Sequence, residues 1–325
     1  MIRMAHGSGG RETERLVKDV FLKHFHNDAL GRLEDAAVLE LSGRAAFTTD
    51  SFVVTPLFFK GGDIGRLAVC GTVNDLLMMG ARPGYLTAGF IIEEGLEIET
   101  LDAVVESMAR TAAEAGVSIV AGDTKVIEGR GGLYINTSGI GIIPDGRDIG
   151  AAHCVPGDAI LVSGDLGDHH ACILSARMNI ENSIESDAAP LNRPVSALLS
   201  SGANVKAMRD VTRGGLATIL NELCAASGTG AELEEVALTV SVNTAAFCEI
   251  LGLDPLYMGN EGKFVAIVKG DDAHKALDAL RGTPEGRRVA VVGYMTDGKG
   301  VTLQTKLGGR RRLGVLTGEG LPRIC

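Results

Sequence analysis

The sequence predicts a two-domain α/β (or α+β) protein with a carboxyl-terminal tail. Three observations support this: 45% of the 325 residues are hydrophobic, strand-like and helix-like segments alternate in both halves, and the segment PDGRDIGAAHCVPGD interrupts them at residues 144–158. A stretch rich in Pro, Gly and Asp is typical of a domain boundary. We therefore expect domains at residues 1–148 and 149–307, followed by a mobile tail at 308–325.

The first half predicts a sheet of mixed strand direction crossed by helices. Apolar residues recur at helical spacing in RETERLVKDVFLKHF (11–25), and helices are also expected at 63–79, ended by Gly80 and Pro83, and at 96–115, ended by Gly116. Strands are expected at 36–41, 45–50, 52–54, 85–92, 117–123 and 132–143. Paired strands with crossing helices indicate a sheet of mixed direction.

The second half predicts an α/β sandwich. It begins with the strand AILVSGD (159–165) and continues with helices at 169–178, 194–199 and 215–227 and strands at 263–269, 288–294 and 301–305. The paired His169 and His170 are interpreted as a helix start capped by Asp168, because adjacent helical residues point in different directions and cannot share a metal. From Gly308 onward no periodicity is found, which predicts the tail.

Composition excludes several classes of function. The formal net charge of -10, the aromatic content of 4% and the absence of tryptophan argue against a nucleic-acid partner. No stretch resembles a signal peptide or reaches membrane length, so we expect neither a membrane partner nor export. The six cysteines form no CxxC motif, which predicts buried, reduced thiols in a cytoplasmic protein. The exception is Cys325, the last residue of the sequence, where nothing nearby is typical of a core.

Carboxylates in unusual places indicate a metal-nucleotide site. Asp75 and its neighbour Asn74 interrupt the apolar helix GTVNDLLMMG, where a carboxylate is costly unless it is paired or bound to metal. Four more aspartates are expected at strand or helix ends: Asp35, Asp50, Asp123 and Asp210. Each alone is more often a turn or cap residue, but five without a basic cluster suit Mg²⁺ ions held against a triphosphate.

Two further motifs carry weaker signals. In HGSGG, Gly7, Gly9 and Gly10 precede a helix and offer backbone N–H groups to phosphate, although such a run can also be a hinge. No GxxxxGK[ST] motif occurs, which excludes the P-loop class. In NEGKF, Glu261 and Lys263 enter a strand, where a surface ion pair is the alternative interpretation.

Together, the motifs HGSGG, EDAAV, TTDS, GTVNDLL, GDTKV, YINTSG, DLGDHH, DVTRGG, NEGK and the terminal PRIC resemble the HypE family of hydrogenase maturation factors. These carbamoyl dehydratases belong to the superfamily of aminoimidazole ribonucleotide synthetase and selenophosphate synthetase. The resemblance spans residues 6–325. It implies that ATP, with Mg²⁺, dehydrates an S-carbamoyl group on the terminal thiol to an S-cyanate, which supplies cyanide ligands for the iron of [NiFe]-hydrogenase. It also implies a homodimer in which the amino-terminal domains pair through their sheets. The implied partners are the carbamoyltransferase HypF as carbamoyl donor and the HypC–HypD complex as cyanide acceptor.

The resemblance assigns site residues by position. Catalytic roles fall to Cys325, Lys125 and Glu261; nucleotide binding falls to Gly7, Ser8, Gly9, Gly10, Asp50, Asn74, Asp123, Asn136 and Thr137; and metal binding falls to Asp35, Asp50, Asp75, Asp123 and Asp210. Two alternatives stay open: another ATP-using synthetase of the superfamily, and a nucleotide-switched carrier or scaffold that presents Cys325. Selenophosphate synthetase is disfavoured, because its catalytic Cys or Sec lies in the amino-terminal glycine loop and HGSGG has neither.

Overall fold

A four-stranded sheet organises the first domain of the computed structural model, which describes residues 1–8, 10–33 and 36–316. Strands β2 (Phe58–Phe59) and β3 (Gly62–Asp63) form a separate hairpin. The sheet has the order β1-β6-β4-β5, with β4 and β5 parallel and the other pairs antiparallel. Its strands are β1 (Arg44–Phe52), β4 (Arg82–Glu93), β5 (Ser118–Ile127) and β6 (Leu133–Ile143).

Helices cover one face of this sheet. Helix α3 (Ile64–Met78) lies on β1 and β6, and helix α4 (Ile98–Ala115) lies on α3. The N-cap of α3 is Asp63, whose carboxylate accepts the N–H of Arg66 at 3.0 Å. The amino-terminal segment adds α1 (Arg11–Leu16), a π-helical turn (Val17–Phe21) and α2 (Leu22–His24). The predicted helix ends near Gly80 and at Gly116 are confirmed.

The second domain contains a seven-stranded sheet of order β13-β12-β9-β11-β7-β10-β8. Helix α7 packs against β9 and β12, α9 packs against β7 and β11, and α5 packs against α8. The strands are β7 (Ala159–Val162), β8 (Val205–Asp210), β9 (Gly230–Glu234), β10 (Phe264–Val268), β11 (Ala290–Thr296), β12 (Gly300–Gln304) and β13 (Arg310–Leu313). The helices are α5 (Asp168–Arg177), α6 (Asn192–Ser200), α7 (Gly215–Ser227), α8 (Val242–Leu251) and α9 (Ala273–Arg281).

The two domains share part of their apolar core. Every residue of β7 and β10 is buried, as expected for central strands covered on both faces. On one face, Ile160 and Val265 pack with residues of α7. On the other, Leu161 and Ala266 belong to the same cluster as the core of the first domain. The predicted two-domain α/β class is therefore confirmed, and the shared core fixes the domains against each other. No helix among the described residues has the length and apolar content that a membrane span requires.

Several local predictions were wrong. Residues 36–41 form no strand, and β8, β9, α8 and α9 were not predicted. The N-cap of α5 is Gly167, while the Asp168 carboxylate instead accepts hydroxyl hydrogen bonds from Ser241 and Thr244 at 2.8 and 2.6 Å. The five cysteines within the described residues are free and buried, as predicted.

The predicted tail does not begin at residue 308. Strand β13 pairs antiparallel with β12, so the prediction of a tail without regular structure is wrong for residues 310–313. The Nδ2 of Asn221 on α7 donates to the Leu313 carbonyl at 3.0 Å, and the Leu316 N–H donates to Oγ1 of Thr218 at 3.2 Å. The chain is thus attached to α7 as far as Leu316, and residues 317–325, with Cys325, lie outside the described part.

Candidate active site

A cleft of about 410 Å³ lies between the two domains and gathers four of the predicted acidic residues. Its wall is formed by β1, the second half of α3, the end of β8 and the loop before β10. Carboxylates enter from each of these elements: Asp50, Asp75, Asp210 and Glu261. Residues from both halves of the sequence therefore meet at one site.

The first domain supplies Asp50 and Asp75. Thr48 and Asp50 are two residues apart on β1, so they point to the same side of the strand, toward α3. The Thr48 hydroxyl donates to the Asp75 carboxylate at 2.8 Å. The costly carboxylate of the apolar helix is therefore explained: it is half-buried, hydrogen-bonded to the neighbouring strand, and directed into the cleft.

The second domain supplies Asp210 at the end of β8, where it pairs with Phe264 of β10. The chain then turns into α7 through Gly214 and Gly215, at φ +83° and +65°. A side chain at Gly215 would meet the Leu256 carbonyl at 2.4 Å, so only glycine fits. The glycine pair thus sets the loop that carries Thr212 and Arg213 along the cleft wall.

Glu261 is buried, and its loop is held by hydrogen bonds on both sides. Its N–H donates to the Asp187 carboxylate at 3.0 Å, and Asp187 also forms an ion pair with Lys263 at 3.2 Å. The preceding Asn260 is fully buried; its amide accepts from the Gly167 N–H at 2.8 Å and donates to the Val211 carbonyl at 3.0 Å. The alternative interpretation, a surface ion pair between Glu261 and Lys263, is not supported, because Lys263 pairs with Asp187, whose side chain is buried.

The aspartates of the cleft lie close enough together to raise the pKa of one another. Burial is the main cause that raises the pKa of Asp75, and the charge of Asp50 raises it further. Burial raises the pKa of Asp210 to about 7, with added repulsion from Asp75 and Asp50 and partial relief from Arg209. Arg209 in turn forms an ion pair with Glu222 at 3.1 Å. Carboxylates that repel one another in this way are suited to a cation.

A Mg²⁺ ion in this cleft would need ligands from the substrate as well as from the protein. Within the described ranges, no three His, Cys, Asp or Glu side chains lie close enough together to hold a metal ion by themselves. Mg²⁺ usually takes one or two carboxylates and completes its coordination with water and substrate phosphates. The cluster of Asp50, Asp75 and Asp210 fits that mode of binding, and its mutual repulsion would be relieved by the ion.

A second group of predicted residues lies at the other edge of the sheet. Asp123 and Lys125 are on β5, within the strand rather than after it, and their side chains form an exposed ion pair at 2.9 Å. Lys125 is the main cause that lowers the pKa of Asp123. Because β1 and β5 are three strand spacings apart, this pair is roughly 14 Å across the sheet from β1.

The glycine loop lies at this same edge. A Cβ on Gly7 would meet the Val126 N of β5 at 2.7 Å, Ser8 donates its hydroxyl to the Met4 carbonyl at 3.1 Å, and Gly10 is the N-cap of α1. Beside it is an apolar cavity of about 290 Å³ between the amino-terminal helix and β4–β5, with Asp123 in its wall. The site predicted from sequence is thus divided between two edges of one sheet.

Three predicted nucleotide ligands face elsewhere. The Asn74 amide donates to the carbonyls of Ala189 and Glu261 at 3.1 and 3.4 Å and accepts the N–H of Leu191 at 2.9 Å. These hydrogen bonds connect the first domain to the second. Thr137 is fully buried and donates to the Ala68 carbonyl at 3.0 Å. Asn74 and Thr137 therefore have structural partners that the motifs did not reveal.

Asn136 points to the opposite face of the sheet, where its amide donates to the Asp50 carbonyl and the Ser51 hydroxyl at 2.8 and 2.9 Å. Gly9, Asp35 and Cys325 lie outside the described residues. Sequence reasoning missed Thr48, Asp187 and Arg209. Arg209 is adjacent to Asp210 in MRDVTR, and this adjacency was an available signal, whereas Asp187 lies in an irregular segment without one.

The two domains define the class of protein. Residues 33–143 match the N-terminal domain, and residues 155–306 the C-terminal domain, of AIR synthase related proteins. Thiamine-monophosphate kinase from Stenotrophomonas maltophilia shares this fold at 22% identity, with a TM-score of 0.71 over 91% of this chain and 96% of that one. The chain therefore has the two-domain architecture of AIR synthase related proteins.

Within that class, the chain belongs to the HypE family of carbamoyl dehydratases, which confirms the resemblance found in its motifs. It is 47% identical to carbamoyl dehydratase HypE of Azotobacter vinelandii, covering 100% of this chain and 97% of the relative. It is also 47% identical to the Escherichia coli K12 enzyme of that name, covering 100% and 99%. The crystal structure of HypE in complex with ATP has a TM-score of 0.96 at 47% identity, covering 100% of both chains. HypE in the HypE–HypF complex has a TM-score of 0.82 at 45% identity, covering 93% of this chain and 99% of that one.

Proposed function

We propose that this enzyme uses ATP to dehydrate an S-carbamoyl group on Cys325 to an S-cyanate, which supplies the cyanide ligands of [NiFe]-hydrogenase iron. The observation that carries the proposal is the meeting of Asp50, Asp75 and Asp210 at one interdomain cleft, in a chain whose relative was crystallised with ATP. The carboxylates would hold Mg²⁺ against the triphosphate, and the ion would neutralise charge on the transferred phosphoryl group.

The chemistry needs two steps, because the oxygen of a carbamoyl group is a poor leaving group. First, the carbamoyl oxygen attacks the γ-phosphorus, the bond to ADP breaks, and an O-phosphorylated intermediate forms on the sulfur-bound carbon. Second, the carbon–oxygen bond breaks, phosphate leaves with its electron pair, and the nitrogen loses both protons to give the C≡N bond. The products are S-cyanate, ADP and phosphate, so every atom of the carbamoyl group is accounted for.

Glu261 and Lys125 are the proposed catalytic residues of these steps. Glu261 would accept a proton from nitrogen, and its buried position in the cleft wall places a carboxylate where water is excluded. Lys125 would polarise the carbamoyl oxygen or the phosphoryl group. Lys125 lies across the sheet from the cleft of its own protomer, so this role requires a second chain.

A homodimer would bring the two edges of the sheet together. The face of the first sheet opposite α3 is open and carries exposed Phe47, Ile91 and Ile127, at 72%, 45% and 41% exposure. A two-fold axis parallel to the strands would place β1 of one protomer over β5 of its partner. Each cleft would then receive Asp123 and Lys125 from the other chain, with the apolar cavity at β5 available for the adenine base.

Cys325 would work as a carrier that exchanges its group with other proteins. HypF is the proposed carbamoyl donor, supported by the HypE–HypF complex of a relative. The HypC–HypD complex is the proposed acceptor of cyanide. The nine residues 317–325 follow Leu316, which is held on α7, and the last of them carries the thiol. When fully extended they span about 30–32 Å, a shorter reach than a tail starting at Gly308 would have.

The decisive experiment measures the intact mass of the protein carrying S-carbamoylated Cys325, with and without Mg-ATP. We expect loss of one water, confined to the peptide that contains Cys325 and matched by one ADP. Glu261→Gln should keep ATP binding and lose the dehydration. If ATP binds while the carbamoyl group stays intact in the unmodified protein, the nucleotide-switched scaffold becomes the better description.

A further inference from the structure

We propose that the hairpin formed by β12 and β13 is the docking surface for an acidic face of the protein that loads Cys325. The basic hairpin is defined here as residues 299–313. This inference rests on the proposed function, because it takes Cys325 as the carrier thiol. It concerns the partner's binding, which is separate from the ATP-dependent step.

The hairpin is a basic region on an acidic protein. The chain has a net charge of -10, yet residues 299–316 contain five cations and no carboxylate. Three carboxylates from elsewhere touch the hairpin: Glu232 pairs with Arg310, Asp254 pairs with Arg311, and Glu235 accepts the Lys306 backbone N–H. In the described part of the chain, no ion pair is formed by Lys299, Lys306 or Arg312, and all three are exposed. Positive charge therefore remains for a partner.

The tip of the hairpin is closed by hydrogen bonds within the turn and presents an apolar side chain. Gly308 N–H donates to the Thr305 carbonyl at 2.9 Å, Thr305 N–H donates to the Gly309 carbonyl at 2.8 Å, and Gly309 N–H donates to Thr305 Oγ1 at 2.9 Å. These bonds fix a turn whose Leu307 is 98% exposed. A preorganised turn loses little conformational entropy on binding, so cations and leucine would be presented together at low cost.

The hairpin also lies at the point where the carrier segment leaves the fold. Arg312 is four residues before Leu316, whose N–H is bound by Thr218. A protein that transfers a group to Cys325 must bind within the reach of the nine following residues, about 30–32 Å from Leu316. The basic hairpin is within that distance, because β13 ends at Leu313, three residues before Leu316.

Protection of an open sheet edge is the simpler explanation for part of the pattern. Charged side chains on edge strands oppose pairing with other chains, and β13 is an edge strand. That role accounts for Arg310–Arg312. It does not account for Lys299 and Lys306, which lie outside β12 and β13, nor for a fully exposed leucine on a fixed turn. A nucleic-acid partner is disfavoured by the net charge of -10 and the low aromatic content.

The test measures association of the full-length protein with HypF. The variant reverses the three unpaired cations, as Lys299→Glu, Lys306→Glu and Arg312→Glu. A matched control makes the same change of net charge at exposed cations elsewhere, as Lys18→Glu, Arg281→Glu and Arg287→Glu. We expect the hairpin variant to associate on the order of tenfold more slowly at low salt, with the difference lost near 1 M salt, where the Debye length is about 3 Å.

The outcomes separate the proposal from its alternatives. A loss confined to the hairpin variant supports docking, and Leu307→Ala should then raise the dissociation rate. Equal rates for wild type, variant and control would overturn it, as would a changed oligomeric state with unchanged HypF association, which would assign the hairpin to a second copy. Dehydration of Cys325 loaded before the assay should proceed normally in the hairpin variant. If even the wild type shows no dehydration, the proposed function fails while the association result still stands.

Discussion

His170 should make the protein lose stability at acid pH. It lies buried in the first turn of α5. Its backbone N–H donates to the Gly259 carbonyl at 3.2 Å, and the Nδ1 of its ring accepts the Gly259 backbone N–H at 3.3 Å. The proton of the neutral ring is therefore on Nε2, which has no hydrogen-bond partner among the described residues. Burial, with a contribution from His169, lowers the pKa of His170 from 6.5 to about 4.

The magnitude follows from that difference in pKa. The unfolded chain takes up a proton near pH 6.5 and the folded chain near pH 4, so the unfolded state binds more protons between these values. The contribution of the neutral His170 to stability is therefore complete above the pKa of the unfolded state, and it falls as the pH decreases toward the pKa of the folded state. At 1.36 kcal/mol per unit, the free energy of unfolding should fall by about 2 kcal/mol between pH 8 and pH 5 through this residue alone.

The assay is denaturant unfolding of wild type and His170→Asn at several pH values from about 5 to 8. Asn can still accept the Gly259 N–H, so the variant loses packing at every pH but removes the titrating ring. We expect its stability to fall less steeply with acid than that of wild type. The control is His274→Asn on the exposed side of α9, which should keep the wild-type slope. Equal slopes for His170→Asn and wild type would refute the reasoning.

Two further predictions concern the domain junction and the dimer. Asn74→Ala should lower the free energy of unfolding by about 3 kcal/mol, because it strands the buried Leu191 N–H and two carbonyls; a loss below about 1 kcal/mol in denaturant titration would contradict the bridging role. Asp75→Asn and Lys125→Ala should each be inactive alone, while dimers re-formed from an equal mixture should regain about a quarter of wild-type activity. Half of the dimers would then be mixed, each with one intact site of two. A mixture that stays inactive, with exchange of chains verified, would place the whole site within one protomer.

Most of the first domain was predictable because its signals are local. The aspartate before α3 and the glycines after α3 and α4 act within one turn of the backbone, so they are visible in the sequence. The segment at 36–41 has the alternation of a strand but has no neighbour to pair with, and pairing is a tertiary property. Strand β8 was missed because VKAMRD contains three charged residues, and its place in the sheet depends on β10.

Several residues that line the candidate cleft could be named from the sequence, but their arrangement could not. Asp75 stands out in the sequence because a carboxylate within an apolar helix is energetically costly. Asp50 stands out because it lies at the end of a predicted strand. Their proximity to Asp210 depends on how the second domain packs against α3, and the spacing of residues along the sequence does not show this packing. The motifs also could not distinguish Asn74, which joins the domains, from a ligand, because the same amide serves either purpose.

The attachment of Leu316 to α7 determines how concentrated the thiol is around its own enzyme. Whatever path residues 317–325 take, Cys325 is confined to a sphere of about 32 Å radius centred on Leu316. One thiol in that volume corresponds to a local concentration on the order of 10 mM, far above any protein concentration in a dilute assay. If Cys325 is the carried substrate, its reaction should be first order and insensitive to dilution, whereas loading by a separate protein should slow in proportion to dilution.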